Sequence, residues 1–143
     1  MTRKVIEENE RIKRRYLHYL RDAKRADLAT VDKAAEAILR FERSTGFKPF
    51  KRFHIEQASA FKTRLATEKS KVTGSPLSKA TVDGTLRAVK AFIFWLAGQQ
   101  GYKSRISHTD SEYFNLNAKD ARIAHALRDN PIPETISSPA KNL

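Results

Sequence analysis

The residues best equipped for acid–base or metal chemistry are the four histidines, His18, His54, His108 and His125. They are scattered, with no His-x-x-x-His pair and no adjacent carboxylate at helical ligand spacing, so no metal site is expected. The sequence contains no glycine-rich phosphate loop, and no serine sits in a nucleophile-elbow context. It has no cysteine, hence no thiolate nucleophile, disulfide framework or Cys-based zinc site. No catalytic residue, cofactor or small-molecule substrate is expected.

Binding chemistry is better represented. Along "LSKATVDGTLRAVKAFIFWLAGQQGY", Leu77 to Tyr102, the apolar residues Val82, Leu86, Val89, Ile93 and Leu96 repeat at three and four residues. Away from that stripe lie Lys79, Ala80, Thr81, Gly84, Arg87 and Lys90. Small residues allow close approach, and the cations and hydroxyls can reach phosphates or base edges. Thr30 and Lys33, at the start of an earlier helix, offer the same mixture. Each has a plainer role open to it: Ser78 and Thr30 as helix caps, and Lys79, Arg87 and Lys90 as an ordinary solvated face. A glycine inside a helix costs up to about 1 kcal/mol relative to alanine, so Gly84 implies a close neighbour, either protein or DNA.

The composition favours a polyanionic partner. Lys and Arg number 28 against 16 Asp and Glu, for a net charge of +12, and the isoelectric point is near 10.2. Residues 1–108 carry 24 basic and 11 acidic residues, whereas 109–143 carry 4 and 5, so the positive charge belongs to the front of the chain. No apolar run approaches the roughly 20 residues needed to span a bilayer, and "MTRKVIEENERIKRRY" lacks the apolar centre of a signal peptide. A cytosolic protein without a membrane partner is expected.

The elements that must position these residues are helices. Four helical patterns and a weaker fifth account for most of the 143 residues, without convincing strand alternation, which predicts an all-α bundle. The first helix is predicted from Glu7 to Arg25, with Ile12, Tyr16, Tyr19 and Leu20 at helical spacing, the tyrosines in the core or at its rim, and a basic exterior of Arg11, Lys13, Arg14, Arg15, Arg21, Lys24 and Arg25. The second has Thr30 as its N-cap, Ala34, Ala35, Ile38 and Phe41 inward, and Gly46 as its stop. "FKPFKRF" is expected to plug the end of the core with its phenylalanines while exposing Lys48, Lys51 and Arg52. The third helix runs from Ile55 to Ser70, with Ala58, Phe61 and Leu65 inward and Lys62, Arg64 and Lys69 outward. "KSKVTGSP" breaks the pattern, and Ser78 caps the fourth helix. A short helical turn is expected near Asp110 to Phe114, and a fifth helix from Ala118 to Leu127. The proline-rich tail after Arg128 reads as a linker or disordered end.

The order of a basic first helix, "ATVDKAAEAILRFERSTG", "HIEQASAFKTRLATEKS" and "LSKATVDGTLRAVKAFIFWLAGQQGYKSRI" resembles the N-terminal core-binding domain of tyrosine recombinases, the phage-integrase family. The similarity covers residues 7–128. It implies a SAM-like bundle of four or five helices, gripping one side of a recombination half-site, with the second and fourth helices against double-stranded DNA. Carried over by position, Thr30, Lys33, Ser78, Lys79, Thr81 and Arg87 lie near the DNA, and Lys103 and Arg105 follow as phosphate contacts. The fifth helix resembles a segment that some relatives use to contact neighbouring protomers. In this family catalysis belongs to a second domain, and the spacing His125-Ala126-Leu127-Arg128 matches one of its motifs without room downstream for that fold. The resemblance thus implies a DNA-binding domain over 1–128, a linker over 129–143 leading to a missing catalytic domain, and partners that include other recombinase protomers. It also implies a nucleoid-associated protein of bacterial, phage or mobile-element origin. Two other functions remain open on the residues: a basic helical module docking an acidic protein, with Phe94 and Trp95 in an exposed apolar patch, and an RNA-binding helical domain.

Overall fold

The computed structural model describes residues 3–116, and the predicted fifth helix, the His125–Arg128 motif and the linker lie outside them. The described chain is an all-α bundle. Its elements are α1 (Arg3–Asp22), α2 (Leu28–Thr45), α3 (Ile55–Thr67) and α4 (Lys79–Leu96), with 3-10 turns at Phe50–Arg52 and His108–Phe114. The only extended pairing among the described residues is an isolated bridge between Lys69 and Pro76, inside the α3–α4 connection.

Local chemistry sets the helix ends, and at the end of α1, the start of α2 and the end of α3 it differs from expectation. α1 stops at Asp22, three residues early, because Arg25 adopts a left-handed backbone (φ 58°) and the Ala26 amide turns back to the Leu20 carbonyl. The N-cap of α2 is Asp27, whose carboxylate accepts from the Thr30 amide at 2.8 Å. Thr30 therefore lies inside the first turn, and its assignment as the cap is corrected. At the other end Gly46 has φ 73°, and the amides of Gly46 and Phe47 close onto Arg43 and Glu42, a glycine stop of the predicted kind. His54 Nδ1 caps α3 by accepting from the Glu56 amide at 3.1 Å. α3 ends at Thr67 instead of Ser70, as Glu68 becomes extended and the bridged turn begins. Ser78 caps α4 as predicted, accepting from the Thr81 amide at 3.1 Å.

α4 runs through the middle of the core. Its whole predicted stripe is buried, joined by Thr85 and Phe92. On α2, Val31 and Ala37 take inward places and Ala35 is only half-buried, a correction to the predicted stripe. Two aromatic groups fill the ends of the bundle. Phe41 meets Phe61 and Phe114 edge-on at 5.4 and 5.5 Å, with Phe53 stacked on Phe114. Tyr16 packs at 5.1 Å from both Phe92 and Trp95, and Phe50 meets Phe92 edge-on. The phenylalanine-rich loop thus plugs the core through Phe50 and Phe53, while Phe47 stays half-buried with φ 61°.

A buried polar network ties α1 to α2 and to this loop. The Asn9 side-chain amide donates to Glu42 Oε2 at 3.4 Å and to the Lys48 carbonyl at 3.1 Å, and its oxygen accepts from the Phe50 amide at 3.1 Å. Lys13 Nζ lies 2.6 Å from both Glu42 Oε1 and Glu10 Oε2. Burial holds the Glu42 carboxyl above its ordinary value against the pull of Lys13 and Asn9. Burial also works against the Lys13 charge, but two carboxylates outweigh it and leave its ammonium above the usual lysine range.

Two stability measurements follow. Glu42 is 1% exposed, and its removal leaves the largely buried Lys13 with only the half-exposed Glu10 and takes one of the three partners of Asn9, so Glu42→Ala is expected to cost about 3 kcal/mol in urea unfolding. Glu10→Ala, on the half-exposed partner, should cost no more than about 1 kcal/mol; equal losses would contradict the network. The second concerns Tyr16, whose hydroxyl burial pushes up to about 12. Above pH ~10 the unfolded chain releases this proton and the folded chain keeps it, so stability falls as pH rises towards 12, by up to about 3 kcal/mol. Lys13 and Tyr102 shift in the same direction and add to the loss. Tyr16→Phe should flatten the fall of Tm between pH 10 and 12; an unchanged fall would place its origin elsewhere.

Candidate nucleic-acid interface

The cations of α4 differ in how far the fold already uses them. Lys79 is paired with Asp83 at 2.8 Å, one turn along. Ser78 and Thr81 serve the cap: the Ser78 hydroxyl accepts from the Thr81 amide and donates to the Thr81 hydroxyl at 3.0 Å. Arg87 and Lys90 make no ion pair within 4 Å among the described residues. Successive spacings of four, three and four put Asp83, Arg87, Lys90 and Phe94 in one row along the helix.

Arg87 and Lys90 border a shallow depression of about 200 Å³, closed by Asp83, Leu86, Phe114, Asn115 and Leu116. Its far wall is held by α3, where Lys62 Nζ donates to the Asn115 carbonyl at 2.9 Å. Beside the cationic row lies a second strip containing Ala80, Gly84 and Ala91. A Cβ built on Gly84 meets nothing within 4 Å, so no neighbouring side chain or backbone of the described chain requires glycine there. Among the described residues no protein neighbour accounts for Gly84.

At the start of α2, the Thr30 hydroxyl and amide both bond the Asp27 carboxylate and, helped by the Lys33 charge, hold it below its ordinary value. Thr30 is engaged in the cap, and Lys33 is exposed with its charge felt by Asp27. No hydrogen bond or ion pair joins either residue to α4 among the described residues. Lys103 and Arg105 lie in the turn after α4, exposed and without an ion pair among the described residues.

The carboxylates are mostly committed to structure. Glu8, Glu10, Asp22, Glu36, Glu42, Glu68 and Asp83 sit in ion pairs with Lys or Arg, and Asp27 and Asp110 cap helical turns. Many surface cations are left without such partners among the described residues, so the positive excess of the surface is larger in unpaired groups than the net charge alone conveys. The basic exterior of α1 is legible in the sequence, but the placement of Arg11 and Arg15 near Tyr102 is not, because it depends on how α1 meets the turn after α4. Among the described residues no group of three histidine or carboxylate side chains is placed to hold a metal ion, and no helix is long and apolar enough to cross a membrane.

The expected apolar patch is smaller than the sequence suggests. Trp95 is half-buried among Tyr16, Tyr19 and Phe92, whereas Phe94 is 54% exposed and meets the His108 ring edge-on at 4.6 Å. Comparison with protein-family models, with curated proteins and with solved structures found no match for this chain.

Proposed function

We propose that this chain is a duplex-DNA-binding module, the SAM-like core-binding half of a site-specific tyrosine recombinase, gripping one side of a half-site while strand cleavage belongs to a separate catalytic domain. The observation that carries the DNA reading is the row of uncommitted cations, Arg87 and Lys90, on a helix whose adjacent strip holds only small side chains. Phosphates would engage those cations, and the open surface at Gly84 would let the duplex come close to the α4 backbone. The assignment to recombination in particular rests on the order of helical patterns in the sequence. Docking of an acidic protein through the Phe94–Trp95 patch is less favoured, since that patch narrows to Phe94 once Trp95 is packed.

Fluorescence anisotropy with a labelled duplex of about 30 base pairs tests this reading. Binding should be outcompeted by duplex more readily than by single-stranded DNA or structured RNA, and should weaken steeply with salt because counterion release gains less free energy as salt rises. Arg87→Ala/Lys90→Ala should bind about tenfold or more weakly with an unchanged helical circular-dichroism signal. Gly84→Ala should raise stability by up to about 1 kcal/mol, because its methyl meets open space, while weakening duplex binding. Absence of duplex binding at low salt would overturn the DNA reading, and unchanged affinity in both variants would overturn its placement on α4.

A further inference from the structure

A second cationic group lies beyond the C-terminal end of α4, centred on Tyr102. Three separate segments build it. Lys51, from the loop after α2, places its ammonium over the Tyr102 ring, 5.5 Å from the centroid. Arg11 and Arg15, one turn apart on α1, act electrostatically on the Tyr102 hydroxyl. Lys103 and Arg105 flank Tyr102 in its own turn and are exposed. The backbone at Gly101 has φ 91°, and a Cβ there would sit 4.0 Å from Lys51 Cε, so the turn closes directly onto the lysine stem.

Only one carboxylate is known to answer this charge, Glu8, which pairs with Lys51 at 3.0 Å. Arg11, Arg15, Lys103 and Arg105 make no ion pair among the described residues, and the Tyr102 hydroxyl has no hydrogen-bond partner among them. Two arginines at i and i+4 repel each other, and neither side chain is needed in the core, since both residues are exposed. Two arginines that cost repulsion and supply no core packing are explained by an anion. Arg87 stands nine residues before the end of α4, so on the order of 14 Å of helix separates it from the turn that carries Tyr102. That spacing is comparable to the roughly 12 Å width of a major groove, whose two borders are phosphate strands.

We propose that Arg11, Arg15, Lys51, Lys103 and Arg105 form a second phosphate-contacting patch around Tyr102, which holds the strand across the groove from the one met by Arg87 and Lys90. This rests on the duplex-DNA reading of α4. The patch adds affinity and fixes the orientation of the bound duplex, because two contact points along α4 define a direction where one does not. It reads no bases, so its contribution is independent of sequence.

Salt titrations of the full chain against a mixed-sequence duplex of about 30 base pairs decide it. Removing two phosphate contacts should make the slope of log K against log salt shallower by about 1.8. Between roughly 50 and 200 mM salt, wild type should therefore lose about tenfold more affinity than Arg11→Gln/Arg15→Gln. Lys103→Gln/Arg105→Gln, which leaves α1 untouched, should behave alike. Unchanged slopes in both patch variants, with Arg87→Ala/Lys90→Ala still weakened, would overturn the patch and leave the α4 reading in place. Shallower slopes in the patch variants with Arg87→Ala/Lys90→Ala unaffected would sustain the patch and overturn the α4 placement. A wild-type chain that binds no duplex would overturn both.

Discussion

Asn9 is the residue on which the arrangement of this bundle turns. It is almost wholly buried, and a buried amide must find partners or lose its desolvation energy outright. It satisfies both ends by holding Glu42 of α2, the Lys48 carbonyl and the Phe50 amide at once. Those bonds fix where α2 meets α1 and where the following loop enters the core. Phe50 then lands against Phe92, and Phe92 against Tyr16, so the rotation of α4 about its axis follows from contacts that begin at Asn9. Replacing such a polar cluster by apolar side chains is often neutral for stability; what the cluster supplies is a single geometry.

That geometry decides which charges are consumed and which remain. Carboxylates are drawn into caps and ion pairs, among them Asp27 at α2, Glu68 with Arg40 and Arg64, and Asp83 with Lys79. The cations outnumber them, and part of the surplus lies on α4, as Arg87 and Lys90, and in the turn that follows it, as Lys103 and Arg105. Exposed pairs of this kind contribute little to stability, so the surface is free to be organised for binding. An uncommitted arginine costs the fold little and offers planar, bidentate recognition of phosphate.

The sequence made the helices of this bundle legible through periodicity and punctuation. The α4 stripe from Val82 to Leu96, its Ser78 cap and the Gly46 stop of α2 all depend on local chemistry, and all stand where the pattern places them. Asp27 and Thr30 are both good caps three residues apart, so the choice between them needed the backbone path out of α1, set by a left-handed Arg25 that no propensity favours. The role of Asn9 was hidden because a single polar residue in a basic amphipathic helix resembles its solvated neighbours. The candidate site was legible as a helix face. Its division into committed Lys79 and uncommitted Arg87 and Lys90, and the gathering of Arg11, Arg15 and Lys51 around Tyr102, depend on contacts between distant segments that periodicity does not encode.

The central claim is that α4 presents a cationic face to duplex DNA, and amide chemical-shift mapping tests it most directly. An isotopically labelled full chain titrated with duplex at low salt should show its largest shifts along residues 79–90 of α4 and in the 101–105 turn. Shifts gathered instead on α3 and the 69–76 turn, with α4 unmoved, would contradict the account.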